Sequence, residues 1–66
     1  MTIKEKLQFF SDNGMSVKFI ADQMNVNVST LTRWLHNEKG ITHKNEDLVL
    51  LTLKKIVNNF TTILED

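Results

Sequence analysis

The 66-residue chain has no cysteine, no proline and only two glycines. Without cysteine there are no disulfide bonds and no thiolate metal sites, and two histidines alone cannot build a structural zinc site. So few glycines also exclude a glycine-rich loop that cradles phosphates. A chain this short buries little core, so we expect its stability to come from well-packed helices and from association with a second copy.

Long apolar runs are also missing. No stretch approaches the roughly 20 apolar residues that span a membrane, and the first ten residues lack the hydrophobic core of a signal peptide. Apolar residues make up 41% and charged residues 24% of the chain, an ordinary globular composition. We therefore expect one domain, residues 1–66, in the cytoplasm, with no membrane association and no cofactor.

Charge of one sign is not in excess either, since the formal net charge is zero. This disfavours a nucleic-acid binder, which usually carries a basic surface. The charges are unevenly distributed, however: residues 1–17 balance, residues 18–44 carry a net +2, and residues 45–66 carry a net −2. The small positive excess therefore overlaps residues 16–36, the segment with the clearest helical pattern.

A first helix is predicted from Thr2, its N-cap, to about Asp12, where Asn13-Gly14 ends it. Its apolar stripe consists of Ile3, Leu7 and Phe10, with Phe9 beside it.

Residues 16–36 predict two short helices joined by a tight turn. Ser16 is a suitable N-cap for the first helix, Asn25 tolerates the left-handed conformation at its end, and Asn27 can cap the second. Ala21 is the small residue at which the two helices would cross. The predicted inner face comprises Ile20, Ala21, Met24, Leu31, Trp34 and Leu35. Two helices with a short turn and a small crossing residue are typical of a helix-turn-helix motif.

A polar connection is predicted over residues 37–40, after which Ile41 packs back on the core. The last helix, capped by Thr42 or Asn45, is predicted to run from about residue 43 or 46 to 64. It is apolar on more of its circumference than one packing partner requires, which favours a homodimer. The predicted dimer interface comprises Val49, Leu53, Ile56, Val57, Phe60, Ile63 and Leu64. Alternatively, the helix breaks near Asn58-Asn59 and folds back on its own domain.

The run FFSDNGMSVKFIADQMNVNVSTLTRWLHNEKG resembles the lambda-repressor-like, Cro/Xre-type helix-turn-helix family. The resemblance rests on Gly14-Met15-Ser16 with Ile20-Ala21, on the turn Met24 to Asn27, and on the segment Ser29 to Trp34. It covers about half the chain. Asn25 stands where the family usually has glycine, and the C-terminal third lies outside the resemblance.

The resemblance implies a DNA-binding role for the outward face of the second motif helix, which would lie in the major groove. The base-contacting positions would be Val28, Ser29, Thr32 and Arg33, among which Arg33 can make a two-pronged hydrogen bond to guanine. The phosphate-contacting residues would be Ser16, Lys18, Asn27, His36, Lys39 and Lys44.

Each of these residues also has an ordinary structural interpretation. Arg33 can be a solvated surface residue paired with Glu38, and Val28 can pack on the turn. The lysines can simply be solvated. Trp34 is expected in the core, and His36 and His43 are expected on the surface, because their spacing matches no metal site.

The function favoured at this stage is a sequence-specific regulator of double-stranded DNA, a Cro-like repressor that binds a near-palindromic operator as a homodimer. Its size resembles that of regulators carried by phages and mobile elements. The alternative is a protein-interaction module, such as an antirepressor or inhibitor, that keeps the fold without reading DNA. A third possibility is the DNA-binding head of a longer protein. No catalytic constellation is recognisable, so an enzyme is not expected.

Overall fold

The computed structural model describes residues 1–36 and 40–65, and within these ranges the chain forms four α-helices and no strand. The helices are α1 (Ile3–Asp12), α2 (Val17–Met24), α3 (Val28–His36) and α4 (His43–Glu65). The predicted all-α class is confirmed. Among the described residues, no helix combines the length and the apolar character needed to cross a membrane. The predicted polar connection at residues 37–39 lies outside the described residues.

The starts of α1 and α2 follow the capping residues predicted from the sequence. In α1, the Glu5 N–H donates to Thr2 Oγ1 (3.1 Å) and the Thr2 N–H donates to Glu5 Oε1 (3.0 Å), a complete capping box. In α2, the Phe19 N–H donates to Ser16 Oγ at 3.0 Å. These bonds satisfy backbone donors that have no partner within the helix, and so fix where each helix begins.

Both helices end in a left-handed residue, as the sequence predicts. Gly14 has φ +98° after α1, and Asn25 has φ 59° and ψ 41° after α2. After α2, the Val26 N–H reaches back to the Ala21 carbonyl (3.0 Å) and the Asn25 N–H to the Asp22 carbonyl (3.2 Å). This Schellman arrangement reverses the chain sharply, so that only three residues separate α2 from α3.

The core lies where all four helices meet. It contains the predicted inner face of α2 and α3 in full, together with residues of α1 and α4. Its members are Ile3, Leu7, Ile20, Ala21, Met24, Leu31, Trp34, Leu35, Val49, Leu53 and Ile56. Ala21 is completely buried, consistent with a close approach of α2 and α3, and Ile41 packs against the core as expected. Trp34 is buried in the core, as expected.

Helix α4 begins after Thr42, whose Oγ1 accepts from the Asn45 N–H at 3.3 Å, and it continues without a break through Asn58-Asn59. The fold-back alternative is therefore wrong. Its first half supplies Val49, Leu53 and Ile56 to the core of its own domain, with 0, 4 and 2% exposure. These three residues are already covered within one copy, so they are removed from the predicted dimer interface.

The second half of α4 is much more exposed. Val57, Phe60, Ile63 and Leu64 expose 46, 49, 70 and 85% of their surface. Phe60 still contacts the rest of the domain, because its ring stacks on that of Phe19 at a centroid distance of 6.4 Å. With 23 residues, α4 is about 34 Å long, and the longest dimension of the molecule is 40 Å.

Candidate nucleic-acid interface

Helix α3 separates a buried face from an exposed face. Leu31, Trp34 and Leu35 lie in the core with 0, 4 and 8% exposure, and the helix packs against both α1 and α2. The carbonyl of Asn27 accepts from the N–H groups of Thr30 (3.0 Å) and Leu31 (3.2 Å), which starts the helix at Val28. The buried face fixes the rotation of α3 about its axis, and hence which side chains point outward.

The four predicted base-contacting residues lie on the other side. Ser29 and Arg33 are exposed, Thr32 is half-buried, and Val28 is 40% exposed. Val28 is therefore only partly covered, and part of its side chain remains accessible. Together these residues form a short surface with one guanidinium, two hydroxyls and one β-branched apolar group, the side-chain types that read base edges in the major groove. We call these four residues the reading face.

The predicted phosphate contacts at the helix starts are exposed as well. Ser16 and Asn27 precede α2 and α3, where backbone N–H groups point along the helix axis and favour an anion. The Ser16 oxygen already accepts from Phe19, but its hydroxyl proton remains available to donate. Both residues therefore lie where the start of a helix favours an anion.

Lys18 is engaged by an acid that the predicted site did not include. Its Nζ lies 3.0 Å from Asp22 Oδ2, and the two side chains are 75 and 59% exposed. The pair stands at i, i+4 on α2, a spacing from which the contact can be foreseen in the sequence. A pair this exposed holds the lysine weakly, so Lys18 can exchange Asp22 for a phosphate, but Asp22 then brings a negative charge close to DNA.

The other predicted phosphate contacts are more dispersed. His36 is exposed in the last turn of α3, together with Arg33, whereas Lys44 is exposed in the first turn of α4. Lys39 and the suggested Arg33 partner Glu38 lie outside the described residues. His43 is solvent-exposed, with Nδ1 3.4 Å from Glu46 Oε1, in keeping with the expected surface position of both histidines.

The described residues contain no cluster of three or more side chains that could hold a metal ion. Polar groups inside the domain are satisfied over the same residues: the buried Thr52 hydroxyl donates to the Leu48 carbonyl at 2.8 Å, and no buried side-chain nitrogen or oxygen lacks a partner. The helix that carries the reading face is thus packed on a core whose described buried side-chain polar groups are all hydrogen-bonded.

Comparison with known proteins adds no family. Scans of family models, curated proteins and solved structures found no match to the chain.

Proposed function

We propose that this chain is a sequence-specific regulator of double-stranded DNA, a Cro-like repressor that acts in the cytoplasm as a homodimer on a near-palindromic operator. The observation that carries the proposal is the division of α3 into a core face and an exposed reading face, reached by a three-residue turn from α2. This is the arrangement that a helix-turn-helix uses to place its second helix in the major groove.

Within the reading face, Arg33 carries most of the sequence preference. Its guanidinium can bond both guanine O6 and N7, whereas Ser29 and Thr32 offer single hydrogen bonds and Val28 can contact a thymine methyl. Two copies would place two such faces about 34 Å apart, in successive major grooves on one side of the duplex. Occupation of a promoter in this way would exclude RNA polymerase.

The decisive experiment selects binding sites from a random duplex library and then measures affinity for the selected site as salt is varied. A DNA reader should enrich a near-palindrome and lose affinity steeply with salt, because binding releases counterions from the phosphates. Lack of enrichment, together with lack of binding at low salt, would refute the proposal.

The Arg33→Ala variant should lose about 1–3 kcal/mol per half-site and accept other bases at one position of the selected site. Arg33→Lys is the matched control, because it keeps the charge but loses the planar fork that contacts guanine in two places. We expect Arg33→Lys to retain the salt dependence while relaxing the same base position. An unchanged base preference in both variants would show that Arg33 does not read DNA.

A protein-interaction module is the second candidate, favoured by the zero net charge and by the neutralisation of Lys18 by Asp22. Such a module would use its exposed apolar side chains to bind a protein and would show no salt-dependent affinity for DNA. The selection experiment above separates the two candidates.

A further inference from the structure

A groove runs between α1 and α4 on the side of α4 that continues toward its exposed end. It has a volume of about 520 Å³, and its apolar wall includes Phe10, Leu50 and Val57. Lys6 from α1 and Lys54 from α4 also line it, so the groove combines an apolar floor with two cations.

The end of α4 has the opposite character. Its last turns expose Ile63 and Leu64, followed by Glu65, and the last turn contains no basic residue. The C-terminal end of a helix carries partial negative charge, and an acid placed there is unfavourable unless a cation lies nearby. Within a single copy the last turn supplies no such cation.

We propose that the end of α4 inserts into the α1–α4 groove of a second copy, in a two-fold pair with antiparallel α4 helices. This inference rests on the homodimer of the proposed function and assigns its interface. Leu64 of each copy would cover Val57 of the other, and Glu65 together with the helix end would meet Lys54 and Lys6 of the second copy.

The positions along the helix agree with this pairing. Val57 and Leu64 are seven residues apart and therefore lie within about 20° of one face of α4. An antiparallel pair that brings Val57 against the second copy's Leu64 is centred midway between residues 60 and 61. Glu65 of the second copy then faces position 56, about 3 Å along the axis from Lys54, well within the reach of a lysine side chain.

A second copy fits this surface better than an unrelated protein because both complementary parts belong to the same chain. The apolar tip and acidic end match the apolar groove with its two lysines. In a two-fold pair every contact occurs twice, so a weak complementarity is doubled.

The test is the mass of the full chain by analytical ultracentrifugation over a range of concentrations, without DNA. The wild type should approach twice the 7.7 kDa chain mass, and Leu64→Asp should remain a monomer. Leu51→Asp is the matched control, since Leu51 is 66% exposed on the opposite side of α4, and it should still dimerise. A wild type that stays monomeric, or a Leu64→Asp variant that dimerises normally, would overturn the proposal.

Charge reversal tests the orientation. Glu65→Lys and Lys54→Glu should each weaken dimerisation about tenfold, because each change makes two repulsive contacts per dimer. The double variant Lys54→Glu with Glu65→Lys should recover most of the lost affinity. Lys55→Glu is the control, because Lys55 lies on the side of α4 opposite Val57 and Leu64, and it should have little effect. Absence of recovery would refute the antiparallel pairing.

DNA binding is measured separately on the same variants. Specific binding by a protein that remains monomeric would overturn the dimer but leave the DNA-reading proposal standing. A dimer whose affinity recovers in the double charge variant, but which does not bind DNA, would support the proposed interface and overturn the DNA-reading proposal.

Discussion

Asp22→Asn should strengthen operator binding, although it removes an ion pair from the folded protein. Asp22 holds Lys18 at 3.0 Å, and both side chains are largely in solvent. An exposed pair of this kind is worth roughly 0.2–1 kcal/mol. Its loss frees the lysine for a phosphate and removes a carboxylate that repels one. Over two copies the gain is about 0.4–2 kcal/mol, or about 2- to 30-fold in affinity at low salt.

The assay is a double-mutant cycle on the selected operator, with wild type, Asp22→Asn, Lys18→Gln and the double variant. The gain from Asp22→Asn should be larger when Lys18 is present, and it should shrink as salt screens both interactions. Asp22 is exposed on α2, so the free energy of unfolding should change by no more than about 1 kcal/mol, the upper value for an exposed ion pair. Weaker or unchanged binding by Asp22→Asn would refute the placement of Lys18 beside a phosphate.

Two further predictions concern the helix ends. Asn25 occupies the left-handed region at φ 59°. In thermal or urea unfolding, Asn25→Ala should lower the free energy of unfolding by about 1 kcal/mol, whereas Asn25→Gly should leave it unchanged or raise it slightly. Equal stability of the two variants would contradict this prediction. Hydrogen bonds from the backbone N–H and hydroxyl of Thr2 lower the pKa of Glu5 below its ordinary value of 4.5. A carboxyl group with a lowered folded-state pKa stabilises the fold at pH values above its unfolded pKa, and this contribution is lost as the pH falls through the folded-state pKa. The stability advantage of wild type over Glu5→Gln should therefore shrink as the pH falls below the ordinary value of 4.5. An advantage that does not change with pH would show that the carboxylate charge is not involved.

The features that sequence predicted well are local ones. The Thr2 cap, the Ser16 cap and the left-handed Asn25 each depend on residues within a few positions of one another, so the sequence contains nearly all the information that determines them. The buried face of α2 and α3 was equally accessible, because apolar spacing at i, i+3 and i+4 specifies one side of a helix.

Long-range packing was harder to predict. Val49, Leu53 and Ile56 are buried apolar residues of α4, but the sequence assigned them to a dimer interface, because an apolar pattern does not reveal which surface covers it. The structure shows that the domain's own helices cover its first half. The contact of Phe60 with Phe19 joins residues 41 positions apart, and no local pattern indicates it.

The reading face is intermediate between these cases. Exposure of Ser29 and Arg33 follows from the burial of Leu31 and Trp34, and in this respect structure and sequence agree. That these side chains contact bases remains a prediction, because exposure is a property that a functional surface shares with an inert one.

The closed core of the single copy has a consequence for dosage. Because Val49, Leu53 and Ile56 are buried without a partner, a diluted chain should remain folded as a monomer rather than unfold when its pair separates. If two copies are required on the operator, its occupancy at low expression rises with the square of the chain concentration. A modest change in the rate of synthesis or degradation of the chain would then produce a larger change in operator occupancy. Because separated copies stay folded, they could pair again without refolding when the concentration rises.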